Sequence, residues 1–464
     1  MQNRINIPNE LKKMDSIFQK HGFNAYLVGG AVRDIIRGKK AADWDIATDA
    51  TPEQVVSIFN KVIPTGIAHG TVTVIFMGQH IEVTTFRSEE GYSDGRHPDT
   101  VTFGTDLTID LSRRDFTMNA IAISLRDGKI YDPFDGRTDI SKGIIRTVRN
   151  PHQRFDEDGL RPIRAIRFAS QLGFEIEEET FKAIPSAMNR ITSISIERFR
   201  DEFVKIMSSE EPSIGLKLLE ETGILNHFIP ELISCRNVEQ ADCRGIHQFD
   251  VLDHLFYACD GAPKEKPLVR LAALFHDIGK PKAKKIEFNN DVKNITFYNH
   301  EAYSANMTKE IMMRLRFSNT EIDTVCHLVI NHMFHYESVW TDAAVRRFIM
   351  RVTVKMIPDL FDLRIADVYG MTRTAPVLKN GPWSENLLEL KDRIDFILTQ
   401  NSAFSVKDLA IKGKDLIAMG IPAGKNLGNI LDELLETVLD DPECNTREKL
   451  SEIAVNIARQ SGIL

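Results

Sequence analysis

The chain has 464 residues, too long for one ordinary core, so two to four domains are expected. It is 42% hydrophobic and 27% charged with a formal net charge of −8, which excludes a protein coated in positive charge but leaves room for a local basic strip. The N-terminal stretch MQNRINIPNELKKMDSIF holds no apolar run of signal-peptide or membrane-spanning length, and no later run reaches one, so a cytoplasmic protein without a membrane partner is expected. The five cysteines (Cys235, Cys243, Cys259, Cys326 and Cys444) form no CxxC pair and read as scattered reduced thiols.

To about residue 145 the sequence alternates short β-like runs with turns. AYLV (25–28) leads into Gly29-Gly30 and the helical stretch AVRDIIRG, and DWDIAT (43–48) reads as a second strand. Thr51-Pro52 starts a helix as an N-cap followed by proline at the first helical position. TVTVIFM (71–77), a turn at Gly78-Gln79 and HIEVTTF (80–86) form one expected hairpin. NAIAISL (119–125), Asp127-Gly128 and KIYDPF (129–134) form another. After about residue 150 apolar residues recur at helical spacing and the remainder reads as nearly all helix, with RTAPVLKNGPWS (373–384) as the clearest linker. From Arg146 to Arg167 six arginines (146, 149, 154, 161, 164, 167) face three acids (156, 157, 158) with no lysine, which hints at planar recognition.

Asp43 and Asp45 lie two apart on the expected strand, and a period of two puts both carboxylates on one face. A close carboxylate pair is unfavourable without a cation, and Mg²⁺ takes hard oxygen ligands while keeping places for phosphate oxygens. Glu82, on a candidate neighbouring strand, offers a third acid, and three converging carboxylates suit a two-metal displacement at phosphorus. Gly29-Gly30, between strand and helix, places backbone N–H groups where phosphate can meet them, with Arg33 in reach of the same triphosphate. An isolated DxD pair is usually only a surface feature; its company raises its weight.

LVGGAVRDIIRG followed by DWDIAT resembles the signature of the class II tRNA nucleotidyltransferases and bacterial poly(A) polymerases, and RRDFTMNAIA (113–122) resembles their second motif. The resemblance covers roughly the first 205 residues with the motifs in the family's order. It implies that Arg114, Asp115 and Asn119 hold the nucleotide's phosphates and ribose, and that DPFDG (132–136) is the hinge between head and neck. DEDGLRPIRAIRF (156–168) is similar to the base-selecting motif, with Asp158 and Arg161 in the reading positions and Arg164 and Arg167 supporting the phosphates or that helix. ERFRDEF (197–203) resembles the last, structural motif. Spaced three apart on an expected helix, Asp158 and Arg161 share a face; a carboxylate and a guanidinium match the amino donor and ring acceptor of both cytosine and adenine, and mismatch uracil and guanine. The ordinary reading of such a pair is an intrahelical salt bridge. The polar segment between Arg87 and Arg113 resembles the flexible loop that full CCA-adding enzymes keep.

FHDIGKP (275–281), with His254 before it, His300 and His332 after it, and Asp367 in LRIADVYG, resembles an HD-type metal-dependent phosphohydrolase domain. The resemblance implies a ligand set of His254, His276, Asp277 and Asp367 for an additional divalent metal; a purely helical scaffold is the competing reading. In the C-terminal stretch, Gly420 and Gly424-Lys425 are too close for a P-loop, and Asn426 replaces Ser/Thr. The stretch is similar to the family's tRNA-contacting tail, with Lys412, Lys414 and Lys425 available to phosphates.

The expected fold class is α+β: a small nucleotidyltransferase-type β-sheet head (1–145), a helical neck that selects nucleotide and binds RNA (146–235), an HD-type helical domain (236–372) and a helical tail (373–464). The expected function is template-independent CCA addition to the 3′ end of tRNA from CTP and ATP with Mg²⁺ at Asp43 and Asp45. The alternatives are a poly(A) polymerase, a partial CC- or A-adding enzyme, or an HD phosphohydrolase with an RNA-binding head. No protein partner is implied.

Overall fold

The computed structural model describes residues 4–41, 43–67, 70–92, 99–240, 248–289, 292–374, 382–400 and 403–464. They form two compact units, Met1–Ile233 with Arg314–Arg316, and Ser234–Met313 with Phe317–Leu464. The class is α+β, a mixed sheet followed by helices.

The strands of the first unit, in chain order, are β1 (Ala25–Val28), β2 (Asp45–Thr48), β3 (Val62–Gly66), β4 (Thr71–Phe76), β5 (Gln79–Thr85), β6 (Arg87–Glu90), β7 (Thr100–Phe103), β8 (Ala122–Ser124), β9 (Ile130–Tyr131), β10 (Ile144–Ile145) and β11 (Glu175–Ile176). Among the described residues seven of them make one sheet in the order β3-β4-β5-β2-β1-β8-β9. Its pairings are antiparallel except β2 with β5, which run parallel with Asp45 opposite Glu82. Alternation along β4 and β5 buries Val72, Val74, Ile81 and Val83 and turns Glu82 outward. Each such buried aliphatic side chain is worth roughly 1.5–3 kcal/mol. Val28, Ala47, Phe86, Leu111, Ala120, Ala122 and Val148 form a small core of their own. Both expected hairpins are present, although the first turns at Met77-Gly78, where φ is +50° and +81°, rather than at Gly78-Gln79. Two successive positive φ values match the twist of the strands they join. Thr51 caps helix Pro52–Ile58 in a reciprocal capping box with Gln54.

Asp43 departs from the sequence expectation. It lies in a bend ahead of β2, which begins at Asp45, so strand alternation does not orient it. The nearly all-helical reading after residue 150 also has exceptions: Glu175–Ile176 pairs in parallel with Ile144–Ile145, and Lys285–Asn289 and Val292–Thr296 pair as an antiparallel hairpin. In the polar segment after Arg87, β6 and β7 pair and helix Leu107–Ser112 follows, whereas 93–98 of the expected loop lie outside the described residues. Of the expected linker, 375–381 also lie outside them. Cys235, Cys259, Cys326 and Cys444 are free thiols; Cys243 lies outside the described residues. No helix of the described residues is long and apolar enough to cross a membrane.

Candidate nucleotide and metal sites

β1 ends where β2 begins, with Val28 opposite Asp45. Gly29 follows at φ +72°, and a Cβ there would stand 3.0 Å from Asp45 Oδ2, so the turn closes on the carboxylate only because the residue is glycine. Gly30 opens the short helix Gly30–Ile36, which carries Arg33. Asp43 and Glu82 are exposed and Asp45 is half-buried. Burial raises the Asp45 carboxyl above its ordinary range, and the carboxylates of Glu82 and Asp43 push the same way, against Arg114. The charges of Glu82 and Asp43 therefore both bear on Asp45 despite the bend at Asp43. A divalent cation relieves that repulsion directly.

A hydrogen-bonded chain runs from Arg33 to the helix Leu160–Leu172. Arg33 Nη1 donates to Asn119 Oδ1 (3.3 Å), Asn119 Nδ2 to Asp115 Oδ1 (3.1 Å), and Arg164 Nε and Nη2 to Asp115 Oδ2 (2.9 and 2.6 Å). Asn119 belongs to the turn Thr117–Asn119 rather than to the expected strand, which begins at Ala122. Burial opposes charge on Asp115, but Arg164 and these hydrogen bonds hold it down at about 2. Arg33, Arg164 and Arg167 all lie over the Phe168 ring, at 5.3, 5.5 and 3.8 Å from its centroid. Arg114 reaches back to Asp110 (3.3 Å), and Arg113 joins Asp110 (2.8 Å) to Glu89 of β6 (3.1 Å).

The expected shared helix face of Asp158 and Arg161 is not formed. Asp158 is extended, between helices Pro151–Glu157 and Leu160–Leu172, and only Arg161 is helical. The break has a local cause, because Pro162 has no N–H for the Asp158 carbonyl and clashes with it; the junction is also tight, since a Cβ on Gly159 would sit 2.2 Å from the carbonyl oxygen of Arg190. Pro162 then falls within the first turn, where proline is tolerated. Asp158 Oδ2 accepts from Arg198 (2.9 Å), while Arg161 pairs with Glu157 and donates to the carbonyls of Arg154 (2.9 Å) and Arg113 (3.2 Å). The two residues are neighbours at one junction without being a salt bridge to each other.

The arginine-rich strip is largely an internal framework. Arg154, Arg161 and Arg167 are buried, and Arg167 pairs with Glu202 (2.5 Å). Glu202 and Arg198 both come from ERFRDEF, on helix Ile196–Met207. That motif therefore supplies the partners of Asp158 and Arg167, a role that its amphipathic pattern did not disclose.

The second unit holds a buried polar centre. Nε2 of His254 and of His276 lie 3.1 Å apart, and both approach Asp277 Oδ2 (3.5 and 3.3 Å) and Asp367 Oδ1 (3.4 and 3.5 Å). All four expected ligands are thus brought together. His300 and His332, outside the expected ligand set, join them: their Nε2 atoms are 3.3 Å apart and 3.0 and 3.5 Å from Asp277 Oδ1. Lys280 Nζ stands 2.5 Å from Asp277 Oδ2 and 2.6 Å from Gln240 Oε1, and Arg364 holds Asp367 Oδ2 (2.9 Å). Against burial, Asp277 and Asp367 push His276 up to about 10. Two groups, His254–His276–Asp367 and His276–Asp277–His332, have ligand atoms within 4.8 Å of one another. In the tail, Lys412 Nζ donates to the carbonyls of Lys407 and Leu409, leaving Lys414 and Lys425 as exposed cations of the expected trio.

The family models for the poly A polymerase head domain, the probable RNA and SrmB-binding site of polymerase A, and the HD domain match residues 25–146, 173–235 and 244–372. A CCA-adding enzyme of Lactobacillus johnsonii is 32% identical over 442 residues, 93% of either chain. The chain belongs to the CCA-adding enzyme family. The CCA-adding enzyme of Ligilactobacillus salivarius is 47% identical over 225 residues, 48% of this chain and 55% of its own; the chain spans about half the length of that relative. Among solved structures, the Bacillus stearothermophilus CCA-adding enzyme in complex with CTP matches with a TM-score of 0.72 and 29% identity, over 98% of both chains. The head and HD families are metal-dependent, and the described residues of this chain include the candidate metal-binding groups named above.

The Asp115–Arg164 contact has a definite pH signature. A carboxylate depressed from about 3.9 to about 2 stabilises the fold fully above pH ~4 and loses that contribution as pH falls through ~2. Asp115→Asn should cost about 2 kcal/mol, less than a fully buried pair because one edge of Arg164 meets solvent. Thermal melts should show a constant deficit from pH 5 to 8 that narrows only below pH 4; a deficit that varies across the neutral range would contradict this assignment.

Proposed function

We propose that this protein adds CCA to the 3′ end of tRNA, using CTP twice and then ATP, with the base chosen by protein side chains. The observation that carries the reading is the pairing of Asp45 with Glu82 beside Gly29, with the charge of Asp43 bearing on Asp45 and the Arg33–Asn119–Asp115–Arg164 chain starting from the helix that Gly30 opens. In this reading Asp43 and Asp45 hold Mg²⁺ and Glu82 completes the acidic face. When bound, the ions activate the attacking 3′ hydroxyl and neutralise the leaving pyrophosphate. The donor set is oxygen only, which suits Mg²⁺. Gly29, Gly30, Arg33 and Arg114 orient the triphosphate, and Asp115 and Asn119 take the ribose side. Asp158 and Arg161 read the base edge, exchanging Arg198 and Glu157 for the base, while Arg164 and Arg167 fix the helix they stand on.

The four-part division at 145, 235 and 372 goes with this reading: catalytic head, selecting neck, HD domain and tRNA-binding tail. Lys414 and Lys425 meet tRNA phosphates in a sequence-independent contact. In the HD domain His254, His276, Asp277 and Asp367 hold a divalent metal; mixed imidazole and carboxylate donors favour a transition ion. A cytoplasmic location fits a tRNA substrate and free thiols.

Incubating the protein with a tRNA transcript that ends at the discriminator base, plus CTP and ATP, should extend it by three residues. A long A tail would instead identify a poly(A) polymerase, and arrest after two C residues a partial adder. Asp43→Asn with Asp45→Asn should abolish extension; undiminished activity would leave the HD domain as the seat of the chemistry. Exchanging the reading pair, Asp158→Arg with Arg161→Asp, should lower the use of CTP and ATP relative to GTP and UTP. An unchanged nucleotide preference would remove these two residues from base selection.

A further inference from the structure

The helix Leu107–Ser112 carries a carboxylate that solvent does not reach, Asp110, and two guanidinium groups close on it. We propose that Asp110 is a positioning residue for nucleotide binding: it fixes Arg114 so that the free edge of that guanidinium faces the triphosphate at the Gly29 turn. This rests on the reading of Gly29, Gly30, Arg33 and Arg114 as the triphosphate cradle and adds the residue that aims it.

Asp110 lies three and four residues before Arg113 and Arg114, the spacing at which helical side chains meet. Arg113 Nε and Nη2 donate to Asp110 Oδ1 (2.9 and 2.8 Å), and Arg114 Nη2 donates to Oδ2 (3.3 Å). An exposed pair at this spacing is a weak surface feature. Here the side chain of Asp110 is 0% exposed and those of both arginines 17%, so the charges have left water and depend on one another. Against burial, Arg114 and Arg113 hold the Asp110 carboxyl below its ordinary range, so it stays charged at neutral pH. Leu111, the next residue, is fully buried in the small core with Val28 and Ala47. That contact pins the helix to the two strands that carry Asp45 and lead into Gly29.

The two arginines have different roles. Arg113 is engaged internally: its Nη1 donates to Glu89 (3.1 Å), and its carbonyl accepts from Arg154 and Arg161 (3.2 Å each). Arg114 uses Nη2 on Asp110, whereas its Nε is buried with no hydrogen-bond partner among the described residues. Its Nη1 would stand 3.7 Å from a Cβ on Gly29, and its charge bears on Asp45. A buried guanidinium donor without a partner is unfavourable, and an anion relieves it. Asp110 thus holds one side of Arg114 and leaves the other for phosphate oxygens. Without that carboxylate, Arg114 is free to turn toward Asp45, out of line for a phosphate.

The test measures binding of CTP and of inorganic triphosphate to the full chain in Mg²⁺ by titration calorimetry, for the parent, Asp110→Asn, Arg114→Gln and the double variant. Asp110→Asn keeps the shape of the side chain and removes its charge. It should weaken both ligands by the same factor, about 10-fold, the loss of one hydrogen bond to a charged group. The preference for CTP over UTP should not change, because Glu89 still holds Arg113. Arg114→Gln should weaken both ligands at least as much, and the double variant no further than Arg114→Gln alone, because Asp110 acts through Arg114. Additive losses, a changed base preference, or Asp110→Asn binding both ligands like the parent would overturn the role of Asp110 and leave the transferase reading standing. A parent that binds neither ligand would overturn the triphosphate cradle, and this inference with it. Where Asp110→Asn does not fold, Asp110→Glu replaces it in the same cycle. Its carboxylate, displaced by one methylene, should weaken binding only while Arg114 is present, and binding equal to the parent's would overturn the proposal.

Discussion

The parallel pairing of β2 with β5 is the constraint on which the head depends. It sets Asp45 beside Glu82 at the same level of the sheet, where like charges directly opposite each other are unfavourable. The penalty is on the order of 1–4 kcal/mol for unit charges a few ångströms apart near a surface. The fold sustains it: Val72, Val74, Ile81 and Val83 lock the register from beneath, and a slip of one residue would expose all four. Gly29 presses on the Asp45 carboxylate from the side. The sheet thus holds like charges together on a face open to solvent, an arrangement that a bound cation would relieve.

The same logic runs in reverse through the arginines. A strip that reads as a cationic face is mostly folded inward, where Arg154 and Arg161 meet Glu157, Arg164 meets Asp115, and Arg167 meets Glu202. Their work is positional. Each fixes an acid or a backbone carbonyl, and Phe168 gathers three guanidinium groups over one ring. The second unit uses the opposite device: Lys280 and Arg364 hold Asp277 and Asp367, whose carboxylates also face imidazoles.

Much of this was legible in the sequence because its signals are local. The glycine pair, the Thr51-Pro52 start and the two hairpins follow from turn and cap chemistry, and the family motifs lie in short contiguous runs. What escaped was non-local or steric. The helix start just after Asp158 is local, since Pro162 cannot continue a helix across the Asp158 carbonyl, but the close contact of Gly159 with the Arg190 carbonyl, 31 residues away, is contained in no spacing rule. Asp43 was assigned to a strand by its period, yet β2 starts only where Val28 can pair, at Asp45. His300 and His332 were visible as histidines, but only the fold turns their Nε2 atoms onto Asp277. The hairpin at 285–296 lay inside a stretch whose overall texture is helical.

The central claim is that register, and not mere composition, builds the catalytic face. Glu82 tests it most directly, since the pairing of their two strands is what sets its charge beside Asp45. The decisive measurement is the single-turnover rate of CMP transfer to tRNA in saturating Mg²⁺ for Glu82→Gln against the parent chain. The account predicts a loss on the order of 100-fold or more with the melting temperature held or raised, because a repulsive charge has been removed. A Glu82→Gln protein that transfers CMP at the parent rate would contradict it.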